Sequence, residues 1–362
     1  MAASSPAAFP FEEWIPLARQ VVRTSFRLQW KDVLEVYTFP RTIPLAEALA
    51  LEARRAGSDT HLTLMTDDLW FTSMRELSTK WLSTPSPVEE SIGEAITAHV
   101  YLGGPGDARR LRDIPAEKFE ANSTGGTRQD EPRRRRRVRG IDFPIGRVTP
   151  ERAESYGLDY ARWYRSYHAA LAVDLAEIQR RGVALARKLA GKKVRVTSPA
   201  GTDLRFTVKR IPPVVDDGII SPADAKRGFV EASLPAGSLA AAVRPESVEG
   251  VVRAQDPVFF AGRTIASPWY RIKKGRIAEW GAAQNADLLD RDLKMSGVAK
   301  ARIGYVTVGL NPKADTGMLD NSIVENNVGI GLGAHPALER KAFDPNVFFV
   351  ATMGRSHIEV TK

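Results

Sequence analysis

The order of apolar and polar positions divides the chain into two kinds of pattern. In the first half, short alternating runs are followed by runs of helical period. Val33-Leu-Glu-Val-Tyr37 alternates with the period of two that a strand shows, and Ile43 to Ala53 repeats apolar residues at helical spacing, with Pro44 tolerated in the opening turn. His61-Leu-Thr-Leu-Met65 predicts a second strand and Asp67 to Leu77 a helix. Ala98-His-Val-Tyr-Leu102 predicts a third strand, closed by the turn residues Gly103-Gly104-Pro105-Gly106. Strands alternating with helices over short links predict a parallel α/β layer. Residues 121–148 show no apolar period and read as irregular. Thr149-Pro150-Glu151 is a helix start. Tyr160, Tyr164, Tyr167, Leu171, Leu175, Ile178, Leu185 and Leu189 then share one stripe, which predicts a single amphipathic helix from Asp159 to Leu189.

Beyond Gly191 the pattern changes. Val194–Ser198 and Leu204–Val208 alternate on either side of Pro199-Ala-Gly-Thr-Asp203 and predict a hairpin. Short strands are expected at Val248–Ala254, Arg276–Trp280, Ile303–Leu310, Val328–Leu332, Val347–Ala351 and Ser356–Val360, with one helix from Asn285 to Met295. The expected architecture is an α/β N-terminal domain, residues 1–190, ending in the long helix, followed by a β-rich α+β C-terminal domain, residues 191–362.

Composition narrows the chemistry. With no cysteine among 362 residues, disulfides, thiolate metal sites and a cysteine nucleophile are excluded, and imidazole chemistry must draw on His61, His99, His168, His335 and His357. The net charge of +9 is concentrated in Arg133–Arg137 and Arg139; without that cluster the remainder is about +3. The cluster reads as a solvated loop or helix end, or as the approach to an anionic small-molecule site. It lacks the interleaved aromatics of a single-strand binder, so a nucleic-acid partner is not expected. No apolar run reaches the roughly 20 residues that span a bilayer, and Met1-Ala-Ala-Ser-Ser-Pro6 lacks a signal-peptide pattern, so no membrane association and a cytoplasmic location are expected.

Walker, dinucleotide-fingerprint, zincin-helix and nucleophile-elbow motifs are missing from the sequence. His357-Ile-Glu359 stands out, because residues two apart on a strand project to one face and could reach one metal ion together. A solvent-exposed strand end produces the same triplet by chance.

Several segments resemble the M29 metallo-aminopeptidases (aminopeptidase T and S). They are Thr149-Pro-Glu-Arg152 with the following helix, Val196-Thr-Ser-Pro-Ala-Gly-Thr-Asp-Leu204, Ser233-Leu-Pro-Ala-Gly-Ser238 with Pro245–Gly250, Gly304-Tyr-Val-Thr-Val-Gly-Leu-Asn-Pro312, and Ser356-His-Ile-Glu359. Where that family holds two metals with glutamates and a histidine, this chain has Ser238, Tyr305 and Gly329, keeping His357 and placing Glu359 where aspartate is usual. Aminopeptidase activity is therefore not expected.

The resemblance is closer to the 2,5-dihydroxypyridine dioxygenase branch, whose Gly-Asn-Val segment is similar to Asn327-Val328 and its surroundings. It implies one Fe(II) per chain held by Tyr305, His357 and Glu359, with His335 as the other candidate for the third position and dioxygen as co-substrate. Ser238, Asn327 and His335 would line the reacting site. The implied activity opens or rearranges a hydroxylated aromatic or N-heteroaromatic ring, including oxazinone formation in natural-product biosynthesis, by a homodimer or higher homo-oligomer. Two other readings stand beside it: a metal-dependent hydrolase of a substituted aromatic, and a metal-free pseudoenzyme or binding protein on the same scaffold.

Overall fold

The computed structural model of the protein describes residues 10–295, 302–315, 321–333, 335, 338 and 350–361. Helix α1 (Phe11–Gln20) leads to β1 (Val33–Thr38), α2 (Ile43–Arg55), β2 (Asp59–Leu64), α3 (Asp67–Glu76), α4 (Thr79–Leu82), α5 (Pro87–Ala95) and β3 (Ala98–Tyr101). Then follow α6 (Ala116–Gln129), α7 (Glu131–Arg136), β4 (Arg139–Asp142), α8 (Pro150–Tyr156), α9 (Tyr160–Leu171) and α10 (Leu175–Leu189). The rest is β5 (Lys193–Thr197), β6 (Asp203–Thr207), β7 (Val214–Asp216), α11 (Pro222–Arg227), β8 (Glu231–Ser233), β9 (Ser238–Ala242) and β10 (Glu249–Arg253). It ends in β11 (Val258–Phe260), β12 (Arg263–Ile265), β13 (Trp269–Lys273), β14 (Arg276–Gly281), α12 (Ala286–Met295), β15 (Ile303–Gly309), β16 (Asn327–Leu332), β17 (Val350–Arg355) and β18 (His357–Thr361).

The chain forms two compact units, residues 1–160 with 218–234, and residues 161–217 with 235–362. Pattern reading divides it once, near residue 190; compactness instead divides it at 160 and returns residues 218–234 to the first unit. There β8 is the outermost strand of a wholly parallel sheet of order β2-β1-β3-β4-β8, as the βα alternation predicts. The second unit holds two larger antiparallel sheets, β14-β13-β10-β6-β5-β18 and β17-β16-β15-β9-β7, and the two-stranded β11-β12. The fold is thus an α/β layer followed by a β-rich unit, as expected. No described helix is long and apolar enough to cross a membrane.

Two expectations are corrected, and one falls partly outside the described residues. The segment 121–148 is not irregular: α6, α7 and β4 occupy it. Helix α6 buries small residues, Ala121 and Gly125, against the cluster of Phe71, Met74, Leu82 and Ile114, so its packing face carries little hydrophobic signal. The long helix is two helices. It breaks after Leu171, and the Asp174 side chain accepts from the Ala176 N–H to begin α10, because aspartate satisfies free N–H groups at a helix start better than it sits inside a helix. Finally, strand β17 begins at Val350; the part of the expected strand at residues 347–349 lies outside the described residues.

The arginine cluster is the last turn of α7 and the strand after it, and most of its charges are used within the unit. Arg133 pairs with Glu35 at 2.8 Å, with Glu89 at 3.1 Å and with Asp130. Arg135 pairs with Glu94, Arg136 donates to the end carbonyls of α5 at Gly93 and Glu94, and Arg139 reaches Asp32 at 2.5 Å. Glu35, on β1 one strand in from the sheet edge, is fully buried and also meets His99 Nδ1 at 3.0 Å and the Thr63 hydroxyl at 2.9 Å. Burial alone would raise its carboxyl pKa, but the His99 hydrogen bond and the His99 and Arg133 charges outweigh it and hold the pKa at about 2, against 4.5 in an open chain.

Between those values the unfolded chain binds a proton that the folded one does not. Glu35 therefore contributes stability above pH 4.5 that is lost as pH falls toward 2. Glu35→Gln is expected to cost on the order of 3 kcal/mol at neutral pH, since it leaves Arg133 poorly matched. In denaturant titrations at a series of pH values, the gap between the two proteins should narrow over that acid range.

Candidate functional site

In the β17-β16-β15-β9-β7 sheet the pleat sorts side chains into two unlike faces. One is apolar, with Leu239, Ala241, Val306, Val308, Val328, Ile330, Ala351 and Met353 all buried. Helix α10 packs on this side through Gly182, whose missing side chain leaves room for Val215. The register puts Asp216, Ser238 and Gly309 in one row of the other face, Ala240, Thr307, Gly329 and Thr352 in the next, and Ala242, Tyr305 and Gly331 in a third. By alternation Asn327 shares this face. It is therefore mixed, with Ala240, Ala242 and Val214 among the polar groups and glycines at 309, 329 and 331.

Its first row is fixed by Asn311, which is fully buried just after β15. The Asn311 amide donates to the carbonyls of Ala170, at the end of α9, and Ala236, and its oxygen accepts from the N–H groups of Lys313 and Ala314. Gly237, at φ 133°, lies against it; a Cβ there would stand 2.6 Å from Asn311 Cβ. The sequence Gly237-Ser238 and the loop Gly309-Leu-Asn311 are thereby locked together, which sets where Ser238 begins its strand.

Tyr305 lies across the sheet onto Gly331, whose Cβ position the phenol ring fills. The ring packs with Ala240, Ala242 and Leu338, and edge-on to the His335 imidazole at 5.0 Å between centroids. Burial pushes the Tyr305 phenol up to about 12 and the His335 imidazole down to about 4. At neutral pH the pair is a protonated phenol beside an uncharged imidazole. The Asn327 amide donates to the Asn321 carbonyl at 2.7 Å. Among the described residues, three buried polar atoms of this face have no hydrogen-bond partner: Tyr305 Oη, Thr307 Oγ1 and Asn327 Oδ1. Such groups cost free energy unless something hydrogen-bonds them.

The structure brings Tyr305 and His335 together, and places Ser238 and Asn327 on the same face. Tyr305 and Ser238 stand two rows apart, roughly 13 Å along the strands at 3.3 Å per residue. His357 and Glu359 stand elsewhere, on β18 at the edge of the other sheet, opposite Thr197 and Arg195. They share a face, as their spacing predicts, but both are exposed there, beside the Arg195–Asp203 ion pair.

An iron ion held by Tyr305, His357 and Glu359 does not fit this arrangement. The phenol is buried, protonated and packed on His335, the other two donors face solvent on another sheet, and no three His, Asp or Glu side chains converge among the described residues. Thr307 is a site residue the sequence analysis misses. Its signal is the alternation Tyr305-x-Thr307-x-Gly309 within a strand already recognised.

Two substitutions probe the packing. Gly331→Ala should cost about 1–3 kcal/mol by overpacking the Tyr305 ring, and less in a Tyr305→Ala background, a coupling that a double-mutant cycle measures. Tyr305→Phe removes an unpaired buried hydroxyl and should leave stability unchanged or raise it by about 1 kcal/mol.

Comparison with known proteins agrees with this architecture. Residues 172–314 match the family model described as Thermophilic metalloprotease (M29). No curated protein matches the chain in sequence. Among solved structures, wild-type AmpT from Thermus thermophilus superposes with a TM-score of 0.73 at 19% identity, over 96% of this chain and 95% of that one. The 2,5-dihydroxypyridine dioxygenase from Pseudomonas putida KT2440 superposes with a TM-score of 0.58 at 13% identity, over 97% and 94%. The resemblance carried by the sequence motifs thus extends to the fold, and the chain has an M29-like architecture.

Proposed function

We propose that this mixed face of the second unit binds a small, planar, hydroxylated or nitrogen-containing ring, and that it does so without the metal chemistry of the peptidases. The observation that carries this reading is the set of unpartnered buried groups on one face: two hydroxyls and an amide oxygen. A flat ring bearing hydroxyl or ring-nitrogen groups offers hydrogen-bond partners to them, and the glycine at 329 lets it lie close to the backbone. The neutral His335 imidazole can hydrogen-bond a bound hydroxyl. Ser238, where the peptidases place a metal-binding glutamate, can hydrogen-bond the same ligand.

A second reading keeps enzymatic oxygen chemistry. It is supported by the fold likeness to the dioxygenase, and it requires an iron site that the described donors do not form.

The test is calorimetric titration of 2,5-dihydroxypyridine, under nitrogen and in the presence of a chelator. Saturable binding, weakened about tenfold in Asn327→Ala and unchanged in His357→Ala, is the expected result. Binding that appears only after Fe(II) is added, with oxygen uptake that His357→Ala abolishes, would establish the oxygenase instead.

A further inference from the structure

The parallel sheet of the first unit carries its own candidate binding site. Its order, β2-β1-β3-β4-β8, reverses direction between β1 and β3. In open α/β sheets, ligands bind outside the carboxyl ends of the strands at such a reversal. The turn after β3 is Gly103-Gly104-Pro105-Gly106, held in place on one side by Phe39, which follows β1 and occupies the space where Gly104 lacks a side chain. Two arginines meet the same turn. Arg147 Nε donates to the Gly104 carbonyl at 3.3 Å and its Nη2 to the Tyr101 hydroxyl at 3.3 Å, while Arg152 Nη2 donates to the Pro105 carbonyl at 2.6 Å.

Arg152 is 7% exposed. Its Nε has no partner, and no carboxylate pairs with it among the described residues. The carboxylate that acts on it, Asp67, is engaged by the Gly106 N–H at 2.9 Å. The contrast with Arg133 is direct. That less deeply buried guanidinium, 13% exposed, also has an unpartnered Nε, but its charge is matched by Glu35, Glu89 and Asp130. A buried guanidinium held only by a neutral carbonyl bears a desolvation cost that an anion would offset. Burial, with the Arg147 charge adding to it, favours loss of the Arg152 proton, the direction an anion would reverse.

We infer that Arg152, with Arg147, forms an oxyanion site at the β1/β3 reversal, one that takes the carboxylate or phosphate group of a small molecule.

Thermal-shift and calorimetric titrations with inorganic phosphate and with acetate, at ionic strength matched with chloride, test this on the full chain. The expected result is a saturable rise in Tm with one of the two anions and none with chloride; which anion acts identifies the group. Arg152→Met keeps the volume and removes the charge. It should fold with an unchanged or higher Tm in the absence of anion and lose the anion response. Arg147→Gln should weaken the response about tenfold. No saturable effect in the parent protein, an undiminished response in Arg152→Met, or an Arg152→Met variant that is destabilised while the parent ignores both anions would overturn the assignment, leaving Arg152 as a clamp on the Pro105 carbonyl.

Discussion

The second unit depends on one buried amide. Asn311 uses both amide hydrogens and its oxygen to join the end of α9, the Ala236-Gly237 approach to β9, and its own loop after β15. The two carbonyls and the Ala314 N–H would otherwise be buried orphans where regular structure stops. With the amide in place, β9 and β15 enter the sheet in fixed register, and the mixed face acquires its rows. Aspartate at that position would offer no donors to the Ala170 and Ala236 carbonyls, and leucine would leave all four groups unpaired. The Asn that closes the Gly309-x-Asn311 motif is thus explained by what it ties together, independently of any ligand.

The two units treat buried polarity in different ways. Around Glu35 every charge has a counter-charge: His99 and Arg133 face the carboxylate, and Glu89 and Asp130 complete the arginine. Such a cluster is structural, and it uses Arg133 of the basic run inside the fold. The mixed face near Tyr305 and the guanidinium of Arg152 are incomplete by the same accounting. Protein interiors rarely leave such groups unpaired; Arg133 Nε is one as well, but its charge is matched, so what distinguishes these two places is an unmatched buried charge and several unpaired groups gathered on one face.

Much of the fold is legible in the sequence where hydrophobic period and turn chemistry agree. Strands β1, β2, β3, β15 and β16, helices α2 and α3, and the Thr149 cap follow from alternation, helical spacing and the cap residue. Elements whose contacts are made by small side chains escape it. Helix α6 packs with Ala121 and Gly125, and β9 is Ser-Leu-Ala-Ala-Ala, so neither shows an apolar pattern. The β8 strand has three residues and gains its place only from β4. Of the candidate site, the shared face of Tyr305 and its neighbours follows from strand alternation, and that of His357 with Glu359 likewise. Which sheet each pair joins does not, because the crossing at Ser356, whose N–H reaches the Asn326 carbonyl, is a tertiary event. The meeting of Tyr305 and His335 joins residues far apart in the chain.

The return of residues 218–234 to the first unit bears on how the protein is made. The parallel sheet gains its outer strand, β8, only after the helices α9 and α10 and the hairpin β5–β6 have left the ribosome, although those elements belong to the other unit. Neither unit can finish folding as its own stretch of chain emerges, and each must wait, partly built, for a segment that lies beyond a stretch of its neighbour. The chain passes between the units at residues 160, 217 and 234. Their folding is therefore interleaved during synthesis, and no single cut yields either unit whole.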